Sequence, residues 1–214
     1  MGLRKTILVT GQIYHVFNRS VAAIPIFKGE RECRLFLAAV KFYLQPNPPT
    51  RFSIYRTSKE RFPIKLDSQL VTIISFSLMP NHFHFLLRQE QENGIKKFIQ
   101  RLTNSFAHYF ILKYKRSGHV FEGNFKAKRM ESDEQLIHLS RYIHLNPVTA
   151  YIVENPEDYP YSSYKTYLGK ELLDIIDPAI ILSQFSSRNA YKKFVLDQKD
   201  YQRRLDEIKH LVFD

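Results

Sequence analysis

The chain has 214 residues, 44% of them hydrophobic and 25% charged, with 17 Phe and 13 Tyr; that length holds one ordinary domain plus an extension, and the composition excludes a disordered chain or a fibre. The 32 Lys and Arg against 21 Asp and Glu leave a formal charge of +11, an excess expected of a protein with a polyanionic partner. A single Cys excludes an internal disulfide framework and a cysteine-rich zinc module.

The longest apolar run, near residues 70–79, is interrupted by Thr72, Ser75 and Ser77. It falls short of the ~18–20 residues that span a bilayer, so the expectation is a soluble cytoplasmic protein without a membrane partner.

Residues 14–20 alternate weakly and are rich in β-formers, which predicts a strand. Residues 30–45 carry Leu35, Phe36, Ala39, Val40, Tyr43 and Leu44 at helical spacing, ended by Pro46. Pro48, Pro49 and Pro63 lie among Arg and Lys in residues 47–69, a basic loop excursion. Residues 70–87 are apolar and β-branched and predict two strands joined by a short turn at Pro80-Asn81. A helix is expected from Asn93, as its cap, to about Lys115, with Ile95, Phe98, Ile99, Leu102, Phe106, Tyr109 and Phe110 along one stripe.

Residues 118–130 read as a hairpin or strand. Ser132 followed by Gln135 is a capping box opening a helix with Leu136, Leu139 and Ile143 on one face. Pro147 is expected to interrupt that helix, because proline disfavours helical geometry in the residue before it; a short helix would restart there. The composition changes near Gly169, beyond which a short helix is expected at Asp177-Pro178 and another over residues 189–211. The order is that of an α+β sandwich, with strands in one sheet and helices packed on it.

His82-Phe83-His84 is the sharpest local signal. Residues two apart on a strand share a face, so both imidazoles project together while Phe83 and Phe85 point to the core. Such a pair offers a divalent metal two ligands; the plainer reading is two histidines on a solvent face. The late helix offers Tyr142, His144 and Asn146, and the i, i+4 relation puts Tyr142 and Asn146 on one face. A tyrosine oxygen can attack phosphorus covalently, and a metal can polarise phosphoryl oxygens; equally, Tyr142 is one of 13 tyrosines that could simply pack. From residue 96 to 129 there are nine Lys or Arg and one acid, Glu122, interleaved with Tyr109, Tyr114, Phe121 and Phe125. That mixture suits nucleic acid, with cations for phosphates and aromatic faces for unstacked bases.

Several of these segments together resemble the single-tyrosine HUH transposases, in particular the REP-associated tyrosine transposases. Met79-Pro80-Asn81-His82-Phe83-His84-Phe85-Leu86-Leu87 is similar to their metal-binding signature, and Tyr14-His15-Val16-Phe17-Asn18-Arg19 to their first strand. Gly118-His119-Val120-Phe121-Glu122-Gly123-Asn124-Phe125-Lys126 resembles their glycine-bounded strand. Arg141-Tyr142-Ile143-His144-Leu145-Asn146-Pro147-Val148 resembles their tyrosine helix, and Tyr161-Ser162-Ser163-Tyr164 their closing serine pair. These blocks occur in order over about residues 10–168. Asn124 stands where the family often has Arg, and Phe121 where it often has Trp.

The resemblance implies a ferredoxin-like sandwich with a central antiparallel sheet and a catalytic domain over residues 1–169; residues 170–214 lie outside the match and read as a C-terminal helical extension. It implies that His82 and His84 hold Mg²⁺ or Mn²⁺, that Asn146 supplies a third ligand, and that Tyr142 attacks single-stranded DNA at a hairpin-forming site to leave a 5′-phosphotyrosine. Arg19, Lys113, Lys115, Arg116, Lys126, Lys128 and Arg141 are candidates for contacts to the DNA backbone. A monomer and a homodimer are both compatible with the family. The alternative is a domesticated, non-catalytic module that binds hairpin DNA or RNA.

Overall fold

The computed structural model of the chain describes residues 6–199. Strand β1 (Ile13–Arg19) leads to helix α1 (Glu30–Tyr43) and the short α2 (Phe52–Tyr55); β2 (Val71–Met79) and β3 (His82–Gln89) form a hairpin, followed by α3 (Gly94–Tyr114) and β4 (Lys126–Arg129). Helix α4 (Asp133–Thr149) comes next, then three short helices, α5 (Tyr164–Tyr167), α6 (Ala179–Leu182) and α7 (Arg188–Leu196). The sheet order is β2-β3-β1-β4, and each neighbouring pair is antiparallel. This is the split β-α-β arrangement of an α+β sandwich.

Period-two alternation sorts the strands onto two faces. Tyr14, Val16, Phe83, Phe85 and Leu87 point to one side, where Phe36, Ala39 and Val40 of α1 and Ile95, Phe98, Leu102 and Phe106 of α3 complete the larger core. Ile13 and Leu86 point to the other side, where Leu136, Ile143, Leu145 and Val148 of α4 cover them. The register of β2 against β3 shifts between Ile73 and Ser75. A bulge there turns Ile74 into the α4-side cluster while Ile73 stays in the larger core. Gly94 opens α3 where a Cβ would stand 2.1 Å from the Leu70 carbonyl oxygen, so only glycine lets the helix start this close to the sheet.

Three expectations are corrected. Helix α4 runs unbroken through Pro147. The proline forfeits one backbone hydrogen bond in the last turn, but Ile143, Leu145 and Val148 are fully buried, and that packing holds the helical path. Residues 118–130 are mostly irregular: only Lys126–Arg129 form a strand, with a single bridge from Ser20 to Phe121. Residues 47–69 are not wholly loop, since α2 and a 3₁₀ turn at Lys59–Arg61 interrupt them. Of the helix expected over 189–211, Arg188–Leu196 is helical, and residues 200–211 lie outside the described residues.

Beyond Gly169 the chain packs onto both cores. Ile175 joins the larger one, and Ile181, Tyr191 and Val195 join the one beneath α4. Ile176 bridges to Ile73, and Ser162 to Ser77, so the outer edge of β2 is partly covered rather than left as an open template.

Candidate active site

Helix α4 packs mainly against β2, and part of the same sheet face, toward β1 and β4, is left open as a cavity of about 640 Å³. Its lining includes Phe17 and Arg19 of β1, His82 and His84 of β3, Lys126 of β4, and Tyr142 and Asn146 of α4. Cross-strand pairing sets this up, since Phe17 lies opposite His84 and Arg19 opposite His82, while Lys126 lies opposite Phe17 and Lys128 opposite His15. Residues directly opposite on an antiparallel pair share a face. Three strands from distant parts of the sequence thus deliver one patch.

The histidine pair is held in defined orientations. The two rings are perpendicular, with centroids 4.9 Å apart. His82 Nδ1 lies 2.6 Å from Asn81 Oδ1, and the Asn81 amide nitrogen donates to the Ala23 carbonyl at 3.0 Å. That second bond fixes Asn81 Oδ1 as an acceptor, so His82 Nδ1 donates and Nε2 keeps its lone pair. His84 Nδ1 lies 2.9 Å from His15 Nε2. His84 Nε2 is buried and has no hydrogen-bond partner.

Burial and neighbouring charge keep these rings neutral. Burial, then the Arg19 charge, lowers His82 to about 4. Burial, then Lys128, lowers His15 to about 4. Burial and the neighbouring His82 and His15 hold His84 well below the usual histidine range. Protonation of any one would place a cation among Arg19, Lys126 and Lys128, and neutral rings are the form that ligates a metal.

Tyr142 sits edge-on to both inner rings, 5.6 Å from the His84 centroid and 6.5 Å from His15. It is the one exposed side chain between buried Arg141 and Ile143, so its ring reaches the open cavity. Asn146, one turn on, is buried and lines the same cavity.

The donor set suits a divalent cation. Two neutral imidazoles line it, one of them with a buried ring nitrogen that has no hydrogen-bond partner, and Asn146 adds an amide at the same cavity. Among the described residues no group of three or more His, Cys, Asp or Glu could hold a metal, so a third protein ligand here would be an amide such as Asn146.

The basic candidates divide. Arg19 and Lys126 line the cavity, and Lys128 is exposed on the same face beside His15. Lys113 is instead engaged on the far side of the sheet, where it pairs with the buried Glu32. Lys115 and Arg116 follow α3 and line a separate groove with Lys28 and Tyr114. Arg141 is buried, stacks 4.3 Å from the Phe194 ring and bonds His138 Nδ1 at 2.6 Å; it ties α4 to α7 rather than facing the cavity. His144, also on α4, points into the core and bonds Tyr191 and Ser163. Glu122 and Phe17 also line the cavity and His15 stands beside it, and the sequence motifs name none of the three as a site residue. The alternation that places Arg19 on this face also places Phe17 and His15 there, and that was the signal available.

No helix among the described residues is long and apolar enough to cross a membrane. No curated protein matches the chain. Among solved structures, a REP-associated tyrosine transposase bound to a REP hairpin shares the fold, with a TM-score of 0.56 over 83% of this chain and 94% of that one at 14% identity. The family model of IS200-like transposases matches residues 53–146, the stretch that holds the β2–β3 hairpin, both cavity histidines, Tyr142 and Asn146. That stretch of the chain is similar to the IS200-like transposases.

Proposed function

We propose that the protein is a metal-dependent tyrosine transposase that cleaves and rejoins single-stranded DNA at hairpin-forming sites. The observation that carries this reading is the convergence of Tyr142, two oriented neutral histidines and the Arg19 and Lys126 cations on one open cavity. The solved relative of the same fold was bound to a REP hairpin, which supports hairpin DNA as the partner.

In this reading Arg19 and Lys126 seat the phosphate backbone, and Phe17 offers a ring at the cavity wall. Tyr142 Oη attacks the phosphorus, and the bond from phosphorus to the 3′ oxygen breaks. The tyrosine loses its proton to solvent, and the departing strand gains one to become a free 3′-hydroxyl. The 5′ phosphate remains joined to the tyrosine, so one phosphate ester replaces another and the reverse attack by a 3′-hydroxyl rejoins DNA without an external energy source. A divalent cation held by His82, His84 and Asn146 would supply Lewis-acid polarisation of the scissile phosphate. Asn81 and the packing of α4 keep the histidines and Tyr142 in place before DNA arrives.

Labelled single-stranded hairpin DNA, taken from beside the gene and incubated with Mg²⁺ or Mn²⁺, tests this on a denaturing protein gel. A labelled protein band that disappears in Tyr142→Phe, with hairpin binding kept, is the expected result. Binding without any band, across metals and flanking sequences, would leave a DNA-binding module instead.

A further inference from the structure

We propose that His15 is a positioning residue: through its hydrogen bond to His84 it selects the tautomer that turns a bare Nε2 toward the cavity. The inference rests on the metal-site reading above and concerns a residue outside the two-histidine motif.

The geometry leaves His84 two neutral tautomers. If His15 Nε2 donated to His84 Nδ1, neutral His84 would carry its proton on Nε2. That N–H would be buried with no acceptor, because Nε2 has no partner and an unpaired buried donor is costly. If His84 Nδ1 donates to His15 Nε2 across the same 2.9 Å, His84 Nε2 keeps a lone pair, the arrangement a cation completes. His82 reaches the same state by another route, since its Nδ1 donates to Asn81 Oδ1. Each histidine therefore has its Nδ1 tied to a neighbour and its Nε2 left for a ligand.

The fold makes His15 a rigid acceptor. Its ring is stacked between Phe17, at 4.8 Å and 29°, and His84, at 5.1 Å and 21°. The central strand β1 carries it, paired to Leu86 on one side and Lys128 on the other. Metal-bound imidazoles generally need such an outer partner, and its loss weakens metal binding by ~10–100-fold.

Two-bond ¹H–¹⁵N spectra of the metal-free protein read the tautomer directly. The expected result is His84 protonated on Nδ1 and His15 bearing an unprotonated Nε2; a His84 protonated on Nε2 overturns the proposal whatever the variants do. Mn²⁺ binding, followed by electron paramagnetic resonance, should weaken ~10–100-fold in His15→Phe and recover to within a few-fold of wild type in His15→Gln, whose amide oxygen can accept. Metal-free hairpin binding serves as the folding control and should be unchanged in both. Wild-type Mn²⁺ affinity in His15→Phe overturns the positioning role alone. Failure of the wild-type protein to bind Mn²⁺ overturns the metal reading on which it rests.

Discussion

Two buried histidines on the same side of the sheet face opposite fates. His144, under α4, has both nitrogens satisfied, Nδ1 by Tyr191 OH at 2.7 Å and Nε2 by Ser163 Oγ at 2.8 Å. Ser163 Oγ in turn accepts from the Phe76 amide at 3.0 Å, so one imidazole joins β2, the closing serine segment and α7 to α4. His84 is also buried, slightly less deeply, but has one nitrogen bonded and one bare. Burial lowers both, His144 to about 3 and His84 well below the usual range. Neither depth nor proton affinity separates the structural histidine from the candidate ligand. The ring nitrogen left without a partner does.

The largest expected effect tests that distinction at the cavity. His84→Ala should remove divalent-metal binding by more than the ~10–100-fold of an outer-shell change, while thermal stability falls less than on loss of His144, because only the Nδ1 bond to His15 is broken rather than bonds at both ring nitrogens. Calorimetric titration with Mn²⁺ alongside a thermal melt reads both; a large stability loss with unchanged metal affinity would reverse the roles assigned here.

His144→Phe should do the opposite. It leaves Tyr191 and Ser163 short of a partner in the core, at a cost of about 2–3 kcal/mol, which for a chain of this size lowers Tm by roughly 4–12 °C. Metal binding per folded molecule should persist.

Much of this contrast could be read from residues alone, and part could not. The His82-Phe83-His84 alternation identified the strand face, and the i, i+4 relation brought Tyr142 and Asn146 to one cavity. Ser132 accepts from the Gln135 amide, as the capping box requires. The role of His144 was hidden, because which way a helical histidine points depends on α7 and the serine segment, neither of which periodicity places. Arg141 misled for the same reason: next to Tyr142 in sequence, it is turned by the helical rotation onto Phe194. The continuity of α4 through Pro147 was hidden too, since tertiary packing overrides a local preference.

A smaller effect concerns the far face. Burial pushes the Glu32 carboxyl up, but bonds from Lys113, Tyr109 and Tyr114 outweigh it and hold the group below the usual carboxylate range. A depressed folded-state value means stability that is full above the ordinary carboxylate pKa and is lost as pH falls through the folded one. Glu32→Gln should therefore cost about 1–2 kcal/mol at pH 7. That difference should shrink as both proteins are melted at successively lower pH below 4.5; a gap that widened on acidification would contradict the pairing.

The finest distinction lies among the cations. Lys126→Ala should reduce the salt dependence of single-strand binding by about 0.7 in the log–log slope, the loss of one phosphate contact. Arg141→Ala should leave that slope unchanged while loosening α4 from α7. Equal slopes for Lys126→Ala and wild type would remove Lys126 from the DNA path.

The central claim is that the open part of this sheet face is a catalytic centre with one nucleophile among 13 tyrosines. The direct measurement is to react the wild-type protein with hairpin DNA and divalent metal, trim the DNA with nuclease, digest the protein and locate the nucleotide adduct by mass spectrometry. The account predicts a phosphonucleotide on the peptide containing Tyr142 and on no other; an adduct on a different tyrosine would contradict it.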